Sequence, residues 1–161
     1  MTAEPLDVRL EPATVADAGE LLTLQRAAYV SEGQLYDDPC LPPLVQTLDE
    51  LYAELSAGGG LVARAGPRLV GAVRFLLVAD VLHVGRLAVV PDLQGRGLGT
   101  RLLAAVEQGT PARHTALFTG HRSDGNLRLY RRCGYAEVRR ETVRPDLVLV
   151  HLEKHLTGWT R

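Results

Sequence analysis

The stretch Val81–Val106 constrains this 161-residue chain more than any other part of it. It begins with an apolar, β-branched run that ends at Val90 and predicts a strand. Pro91 and Asp92 end that strand, a glycine-rich segment follows at Gln94–Gly99, and apolar residues then recur at helical spacing. The stretch therefore predicts a strand, a glycine loop and a helix in series.

A loop of this kind suits an anionic ligand. It leaves the first backbone N–H groups of the helix unpaired, at the positive end of the helix dipole. Glycines at positions 95, 97 and 99 allow a ligand to approach the main chain closely. We expect the loop to hold a phosphate or a pyrophosphate. The same glycines would also suit a plain tight connection between a strand and a helix.

The spacing of the loop distinguishes three kinds of phosphate-binding loop. A P-loop requires a lysine beside its last glycine, and the only lysine of the chain is Lys154. A dinucleotide loop requires a glycine directly at the strand end and a carboxylate about twenty positions later, but PDLQ intervenes and Ala116–Gly120 has no carboxylate. The third pattern, Q-x-x-G-x-G, is met by Gln94, Gly97 and Gly99. It resembles the pyrophosphate loop of the GNAT superfamily of acyl-CoA-dependent N-acyltransferases.

The composition is that of an ordinary soluble globular protein. Apolar residues make up 46% and charged residues 23%, and the formal net charge of −1 argues against general nucleic-acid binding. Cys40 and Cys133 give neither a disulfide framework nor a metal-binding spacing. The first ten residues, MTAEPLDVRL, lack the basic-then-apolar layout of a signal peptide, and no apolar run approaches the roughly twenty residues that a membrane helix needs. We expect one domain over residues 1–161 in the cytoplasm, with no metal, nucleic-acid or membrane partner, and the arginine-rich basic set suits a bacterial source.

Local patterns predict the first elements of the fold. Leu6–Leu10 alternates and predicts a strand, and Thr14 is an expected N-cap for a helix that runs to about Tyr29. Prolines at positions 39, 42 and 43 argue against any regular element there. A second helix is predicted to open at Thr47, where Glu50 completes a capping box.

The later elements predict a mixed sheet. Three strands form an antiparallel meander, and the strand after the glycine-loop helix follows a helical crossover, so it should lie parallel to the strand before the loop. The predicted fold is α/β (α+β), a mostly antiparallel twisted sheet of about seven strands with helices on both faces, in the order β-α-α-β-β-β-α-β-α-β-β. The predicted elements are strands at Leu61–Ala65, Leu69–Val78, Val81–Val90 and His114–Thr119, a helix at Asn126–Cys133, and strands at Tyr135–Val143 and Leu147–Leu152.

This element order is similar to the GNAT fold along essentially the whole chain. A second signature adds to it: Asn126 and Tyr130, followed by Cys133-Gly134-Tyr135, resemble the family's N-x-x-x-x-Y-x-x-x-G-[FY] segment, with one residue fewer before the tyrosine. The resemblance implies transfer of an acetyl group from acetyl-CoA to a primary amine by direct attack in a ternary complex. The acceptor would be a small molecule or a peptide. The alternative is a non-catalytic acyl-CoA-binding sensor or interaction module on the same fold.

The resemblance also assigns residues to acetyl-CoA. The cofactor would lie where the strand before the loop and the strand after its helix splay apart. Asn126 would bond the pantetheine, unless it caps its helix, and Tyr130 would protonate the leaving thiolate, unless it is a core aromatic. Main-chain groups of Leu87, Ala88 and Val89 would hold the pantetheine. The pyrophosphate would be held by main-chain groups of Gln94, Gly95, Arg96, Gly97, Leu98, Gly99 and Thr100. The side chains of four arginines would be further phosphate ligands or solvated surface residues: Arg96, Arg101, Arg131 and Arg132.

A base is expected as well, because an alkyl amine with a pKa near ~10.4 is mostly protonated at neutral pH. His83 stands where some family members carry a glutamate base, and an imidazole titrates in the required range. His121 is the second candidate for the base. The alternative is that His83 is an ordinary surface histidine and that a water relay removes the proton. Gly85, on the same strand as His83, would mark a bulge or a close backbone approach nearby, unless it is a simple packing glycine.

The acceptor pocket implied by the resemblance comes from the first two helices, their connection and the last strand pair. In this chain these segments are Tyr29–Tyr36, Pro42–Thr47 and Arg139–Pro145. Three carboxylates in or next to these segments, those of Glu32, Asp37 and Asp38, would be able to bind a cationic amine or would simply be solvated. The last strands of family members often pair across a homodimer, so the resemblance is compatible with a homodimer and leaves the oligomeric state open.

Overall fold

A seven-stranded mixed sheet with helices on both faces is the frame of the computed structural model, which describes residues 4–157. The ends of the predicted 1–161 domain, residues 1–3 and 158–161, lie outside the described residues. The predicted mixed sheet and the main element order are confirmed. The strands are β1 (Arg9–Pro12), β2 (Gly59–Ala65), β3 (Arg68–Val78), β4 (Val81–Val89), β5 (His114–Gly120), β6 (Ala136–Arg144) and β7 (Leu147–His155). The helices are α1 (Ala18–Leu35), α2 (Pro42–Val45), α3 (Leu48–Ala57), α4 (Leu98–Gln108) and α5 (Asp124–Arg132), with short 3₁₀ turns at Val15–Asp17 and Pro91–Leu93.

The strands lie in the order β1-β2-β3-β4-β5-β7-β6, and β4 and β5 run parallel as predicted. Helices α1 and α4 cover opposite faces. A Cβ atom on Gly71 of β3 would lie 3.1 Å from Leu102 Cδ1 of α4, whereas Arg74 of the same strand donates a 2.8 Å hydrogen bond to Gln25 of α1. Strand positions three apart point to opposite faces, so the sheet is buried between the two helices.

The first helix differs from its predicted extent. Thr14 opens a 3₁₀ turn, in which its N–H donates to Asp17 Oδ2 at 2.8 Å, and α1 then continues to Leu35 instead of ending near Tyr29. Its last turns are stabilised by distant packing, because the hydroxyl of buried Tyr36 lies 2.8 Å from Ser123 Oγ. The first strand is likewise displaced toward the C-terminus of its predicted range, to Arg9–Pro12.

The segment between the first two long helices corrects one prediction and confirms another. The prolines do not exclude a regular element, because Pro42 and Pro43 occupy the first positions of the one-turn helix α2, where no N–H donor is needed. The predicted capping box of α3 is present. Thr47 Oγ1 accepts the Glu50 N–H at 3.2 Å, and the Thr47 N–H donates to Glu50 Oε2 at 3.3 Å.

The parallel strands β4 and β5 pair over only part of their length. Their pairing ends at His83 and Ala116, although the strands continue to Val89 and Gly120. Beyond this point two carbonyls of β4 accept side-chain donors. Leu87 O accepts the Tyr29 hydroxyl at 3.5 Å and Val89 O accepts Gln94 Nε2 at 3.0 Å. A gap therefore opens between the carboxyl ends of the two strands.

A bulge in β4 begins where the gap opens. β4 has one residue more than β3 between the pairs Arg74–Gly85 and Ala72–Ala88. Arg86 adopts a φ of +53° in this segment, a left-handed conformation that is unusual for a residue with a side chain. The prediction of a bulge near Gly85 is confirmed. A Cβ atom on Gly85 would meet nothing within 4 Å, so the close-packing alternative is wrong.

Candidate functional site

A cleft of about 830 Å³ lies at the gap between β4 and β5. Its walls are the inner face of α1, the end of β4, the glycine loop and the first turn of α5. The volume is in the range of small-molecule and cofactor sites, about 300–1,000 Å³. Apart from the further phosphate-binding arginines, all the residues predicted to contact the cofactor line this cleft except Arg96 and Tyr130. The predicted residues that line it are Leu87, Ala88, Val89, Gln94, Gly95, Gly97, Leu98, Gly99, Thr100 and Asn126.

The glycine loop leaves its main chain open to the cleft. Gly95 and Gly97 have φ angles of +75° and +85°, and a Cβ atom at either position would meet nothing within 4 Å. Gly97 is the N-cap of α4, and its carbonyl accepts the first intrahelical hydrogen bond from Arg101 N at 3.1 Å. The backbone N–H groups before Arg101 have no partner within the helix. They can therefore hold an anion at the positive end of the helix dipole.

The arginines near this cleft are mostly engaged elsewhere. Arg96 Nη2 donates to Glu4 O at 3.2 Å, and Arg101 Nη2 donates to Val8 O at 3.1 Å. Arg131 lies on the exposed side of α5, 4.0 Å from a carboxylate oxygen. Of the four arginines considered for the phosphates, Arg132 is the one that lines the cleft.

Helix α5 places Asn126 and Tyr130 one turn apart, as predicted. Ser123 is the N-cap of α5, so the alternative in which Asn126 caps the helix is wrong. Instead, Asn126 Nδ2 donates to Thr119 Oγ1 at 3.2 Å and lies 3.5 Å from Glu32 Oε1. Asn126 therefore joins the end of β5 to the α1 wall of the cleft.

Tyr130 is 7% exposed and is not among the residues that line the cleft. Burial raises the pKa of the Tyr130 phenol well above its ordinary value, and the nearby Tyr29 and Glu32 raise it further. Its ring centroid is 6.1 Å from that of Tyr135. The phenol is therefore protonated at neutral pH, which is the form that can donate a hydrogen bond or a proton.

The structure distinguishes among the three carboxylates considered for amine binding. Glu32 lines the cleft, and its Oε2 accepts the Ser123 hydroxyl at 2.6 Å. Asp38 instead accepts the Cys40 N–H and pairs with Arg144 at 2.8 Å, and these two contacts hold the pKa of its carboxyl below its usual range. Asp37 is exposed and lines neither of the two cavities described here. The helical spacing of positions 29, 32 and 36 is the sequence signal that could have singled out Glu32.

A second cavity of about 400 Å³ lies next to the cleft along β4. His83 lines this cavity and not the cleft, and it belongs to the last β4–β5 pair, so it stands where the gap begins. The segments Pro42–Thr47 and Arg139–Pro145, predicted to help form the acceptor pocket, line neither cavity. The residues lining the second cavity are Glu54, Ala57, Gly58, Gly59, Arg74, Phe75, Leu76, His83, Val84, Gly85, Arg86 and Phe118.

His121 makes a hydrogen bond that gives it a structural role. Its Nδ1 accepts the Val148 N–H at 3.1 Å, which ties the end of β5 to β7. It lines neither the cleft nor the second cavity.

A mixed sheet, a gap between two parallel strands and a loop with open main-chain N–H groups at the mouth of that gap define an α/β protein with a ligand-binding cleft. Residues 40–156 match the family model described as "Acetyltransferase (GNAT) domain". This match covers more than half of the chain, and the chain belongs to the GNAT acetyltransferase family. A search of curated proteins finds no match.

Solved structures of acetyltransferases share this fold at low sequence identity. The ribosomal-protein-S18-alanine N-acetyltransferase from Escherichia coli superposes with a TM-score of 0.77 at 13% identity, over 96% of this chain and 97% of that one. The YncA structure from Salmonella typhimurium, which contains its cofactor acetyl-CoA, superposes with a TM-score of 0.75 at 14% identity, over 96% of this chain and 97% of that one. The PaiA N-acetyltransferase from Thermoplasma acidophilum, in complex with coenzyme A, superposes with a TM-score of 0.74 at 15% identity, over 93% of this chain and 99% of that one. Within residues 4–157, no helix is long and apolar enough to cross a membrane.

Proposed function

We propose that this chain, as one domain over residues 1–161, transfers an acetyl group from acetyl-CoA to a primary amine by direct attack in a ternary complex. The observation that carries the proposal is the open main chain of Gly95–Gly99 at the mouth of the β4–β5 gap in a member of this acetyltransferase family. The acceptor would be a small molecule or a peptide. A bacterial, cytoplasmic setting is part of the same proposal.

The residues present fit acetyl-CoA. The N–H groups at the start of α4 suit its pyrophosphate, and the end of β4 has no strand partner on the gap side, which suits an extended pantetheine arm. The carbonyls of Leu87 and Val89 accept hydrogen bonds from the side chains of Tyr29 and Gln94. Amide N–H donors of the pantetheine arm can replace these side-chain donors. When bound, acetyl-CoA would supply the activated acetyl thioester.

Tyr130 is the proposed acid. Its buried, protonated phenol would donate a hydrogen bond or its proton to the thiolate that leaves. We expect Tyr130→Phe to lower kcat by about 10²–10⁴-fold, the usual contribution of a positioned acid, while the Kd for acetyl-CoA stays unchanged. The matched control is Tyr135→Phe, which removes a phenol from the neighbouring ring that bonds Glu107 instead. Equal kcat values in wild type and Tyr130→Phe would reject this role.

His83 is the proposed base, and its position at the start of the gap and in the second cavity supports the proposal. An amine that enters from this cavity would meet the imidazole before it reaches the gap. We expect His83→Gln to lower kcat/KM by about 10²-fold or more. His121→Gln is the control, because His121 is bonded to Val148 outside both cavities. An unchanged kcat/KM in His83→Gln would leave a water relay as the route for the proton.

A screen of amines with free thiol as the readout tests the proposal as a whole. Release of coenzyme A above the hydrolysis rate with at least one amine is expected. Tight binding of acetyl-CoA without any amine-dependent release would instead favour the alternative, an acyl-CoA sensor or interaction module. The homodimer proposal is tested separately by light scattering on the eluting protein, since β6 is an edge strand that could pair with a second copy.

A further inference from the structure

Almost all of the surface inside the second cavity is apolar. Its large apolar side chains are those of Phe75 and Leu76 on β3, Val84 on β4 and Phe118 on β5. Leu76 and Phe118 are each more than half exposed, although large apolar side chains are usually buried. The volume of about 400 Å³ is within the range of small-molecule sites, about 300–1,000 Å³. The size and the lining therefore suit the apolar body of a small molecule.

Two charged side chains of the lining, those of Arg74 and Glu54, belong to a closed ring with two buried glutamines. Arg74 Nη2 donates to Gln25 Oε1 at 2.8 Å, and Arg74 Nη1 lies 2.9 Å from Glu54 Oε2. Gln46 completes the ring, because its Nε2 donates to Glu54 Oε1 at 2.6 Å and its Oε1 accepts Gln25 Nε2 at 3.0 Å. The opposite charges of Arg74 and Glu54 therefore offset each other, and neither residue brings an unpaired charge to the cavity.

The cavity lies where the β4–β5 gap begins. His83 on β4 and Ala116 on β5 form the last pair of these two strands. Gly85 and Phe118, two positions further along each strand, both line the cavity. Both strands therefore border the cavity at the point where they separate. An amine attached to a group in this cavity would lie next to His83 and the gap.

An apolar cavity also favours the neutral form of an amine. Among the described residues, Glu54 is the one carboxylate that lines the cavity, and it is paired with Arg74. Moving an ammonium group out of water without a carboxylate partner is costly, so burial lowers the pKa of a bound alkyl amine below its ordinary value near ~10.4. The neutral amine is the form that can attack a thioester.

We infer that the acceptor is a primary amine on an uncharged apolar body, as in an arylalkylamine, with no carboxylate beside the amine. The apolar body would contact Leu76 and Phe118, and the amine would face His83 and the gap. An amine without such a body would leave the apolar wall in contact with water, so it would bind more weakly. This inference rests on the proposed function and names its substrate class.

Binding of two acetylated products tests the inference without turnover. N-acetylphenethylamine and N-ethylacetamide differ only in the phenyl group, and their Kd values are measured by titration calorimetry on the full chain. We expect the phenyl compound to bind at least about tenfold more tightly, because its ring covers apolar surface. Leu76→Gln should reduce that ratio several-fold. Leu77→Gln is the matched control and should leave the ratio unchanged, because Leu77 follows Leu76 on β3, has a similar exposure and lines neither cavity.

Three results would overturn the inference. The first is equal affinity for the two products in the unmodified protein, a comparison that needs no variant to fold. The second is an equal reduction of the ratio in Leu76→Gln and Leu77→Gln, because the effect would then not come from the cavity. The third concerns Arg86, which also lines the cavity. If its guanidinium bound a carboxylate of the acceptor, N-acetylphenylalanine would bind more tightly than N-acetylphenethylamine.

Failure of the proposed function would look different from failure of this inference. In that case acetyl-CoA would not bind in the same calorimeter, or no amine would be acetylated. Turnover of ethylamine at the same kcat/KM as phenethylamine would retain the acetyltransferase and reject only the substrate class.

Discussion

Replacing Gly97 with alanine separates the two roles that the glycine loop can have. The residue has a φ of +85°, and a Cβ atom there would meet nothing within 4 Å. The added methyl group therefore causes no clash, and its direct cost is the left-handed backbone, about 1–2 kcal/mol. In a chain of this length, that cost lowers Tm by about 2–8 °C. Gly66→Ala is a matched control, because Gly66 has a φ of +58°, equally open surroundings and a place in the β2–β3 turn away from the cleft.

The two variants should differ only in their response to acetyl-CoA. Wild-type protein at a ligand concentration of a hundred times its Kd gains about 2.7 kcal/mol. A methyl group on Gly97 projects into the space where the phosphates would approach the main chain, and loss of one charge-assisted hydrogen bond weakens binding by about tenfold or more. At the same ligand concentration the gain then falls to about 1.4 kcal/mol or less. Gly66→Ala should keep the full gain.

The assay is thermal unfolding of the three proteins with and without acetyl-CoA at one fixed concentration. The expected pattern is a similar loss of Tm in both variants without ligand, with a reduced ligand-induced rise in Gly97→Ala alone. If Gly97→Ala keeps the full rise, the loop does not bind the phosphates. If both variants lose the rise equally, loss of stability and not the loop explains the effect.

Three further predictions follow from burial and packing. Burial raises the pKa of Tyr130 above the usual value of 10.0, so its phenol stays protonated up to that pH. A pH profile of kcat should therefore show no loss from tyrosine ionisation between pH 7 and pH 10. A fall in kcat over this range that is absent in Tyr130→Phe would contradict the prediction. Leu102→Ala empties a site with no solvent exposure and should cost about 2–5 kcal/mol in urea unfolding, whereas a loss below about 1 kcal/mol would mean that the α4 contact is not part of the core. Gly120→Ala would force a Cβ atom against the bonded Tyr36 hydroxyl and should cost about 1–3 kcal/mol, while Gly125→Ala, which meets no atom, should not lower Tm; equal Tm values would refute the clash.

Much of the fold was predictable because its signals are local. A capping box such as Thr47 with Glu50 is read within four residues, and the end of a strand followed by glycines is read within ten. The parallel pairing of β4 and β5 follows from the helical crossover between them. The same local signals identified most of the cleft lining, since Gly95, Gly97 and their neighbours are consecutive in the chain.

Other features depend on contacts that no local pattern contains. Helix α1 extends past its predicted end because Tyr36 is bonded to Ser123, 87 positions away. Of the three carboxylates considered for amine binding, Glu32 lines the cleft, where it accepts the Ser123 hydroxyl, whereas Asp38 is paired with Arg144. Such partners are far apart in sequence and meet only after the sheet has formed.

The sequence by itself determined the class of fold, the glycine loop and the α5 signature, because strand and helix periods and turn residues act over a few positions. Only the tertiary structure decided which charged groups face a cavity. Arg74 and Arg86 are on neighbouring strands and both line the second cavity, next to the bulge that alters the register between those strands. His83 stands at the start of the gap because the pairing of two strands more than thirty positions apart ends there. Which charged side chains line a cavity is therefore a property of the folded sheet, and a single segment of the chain does not encode it.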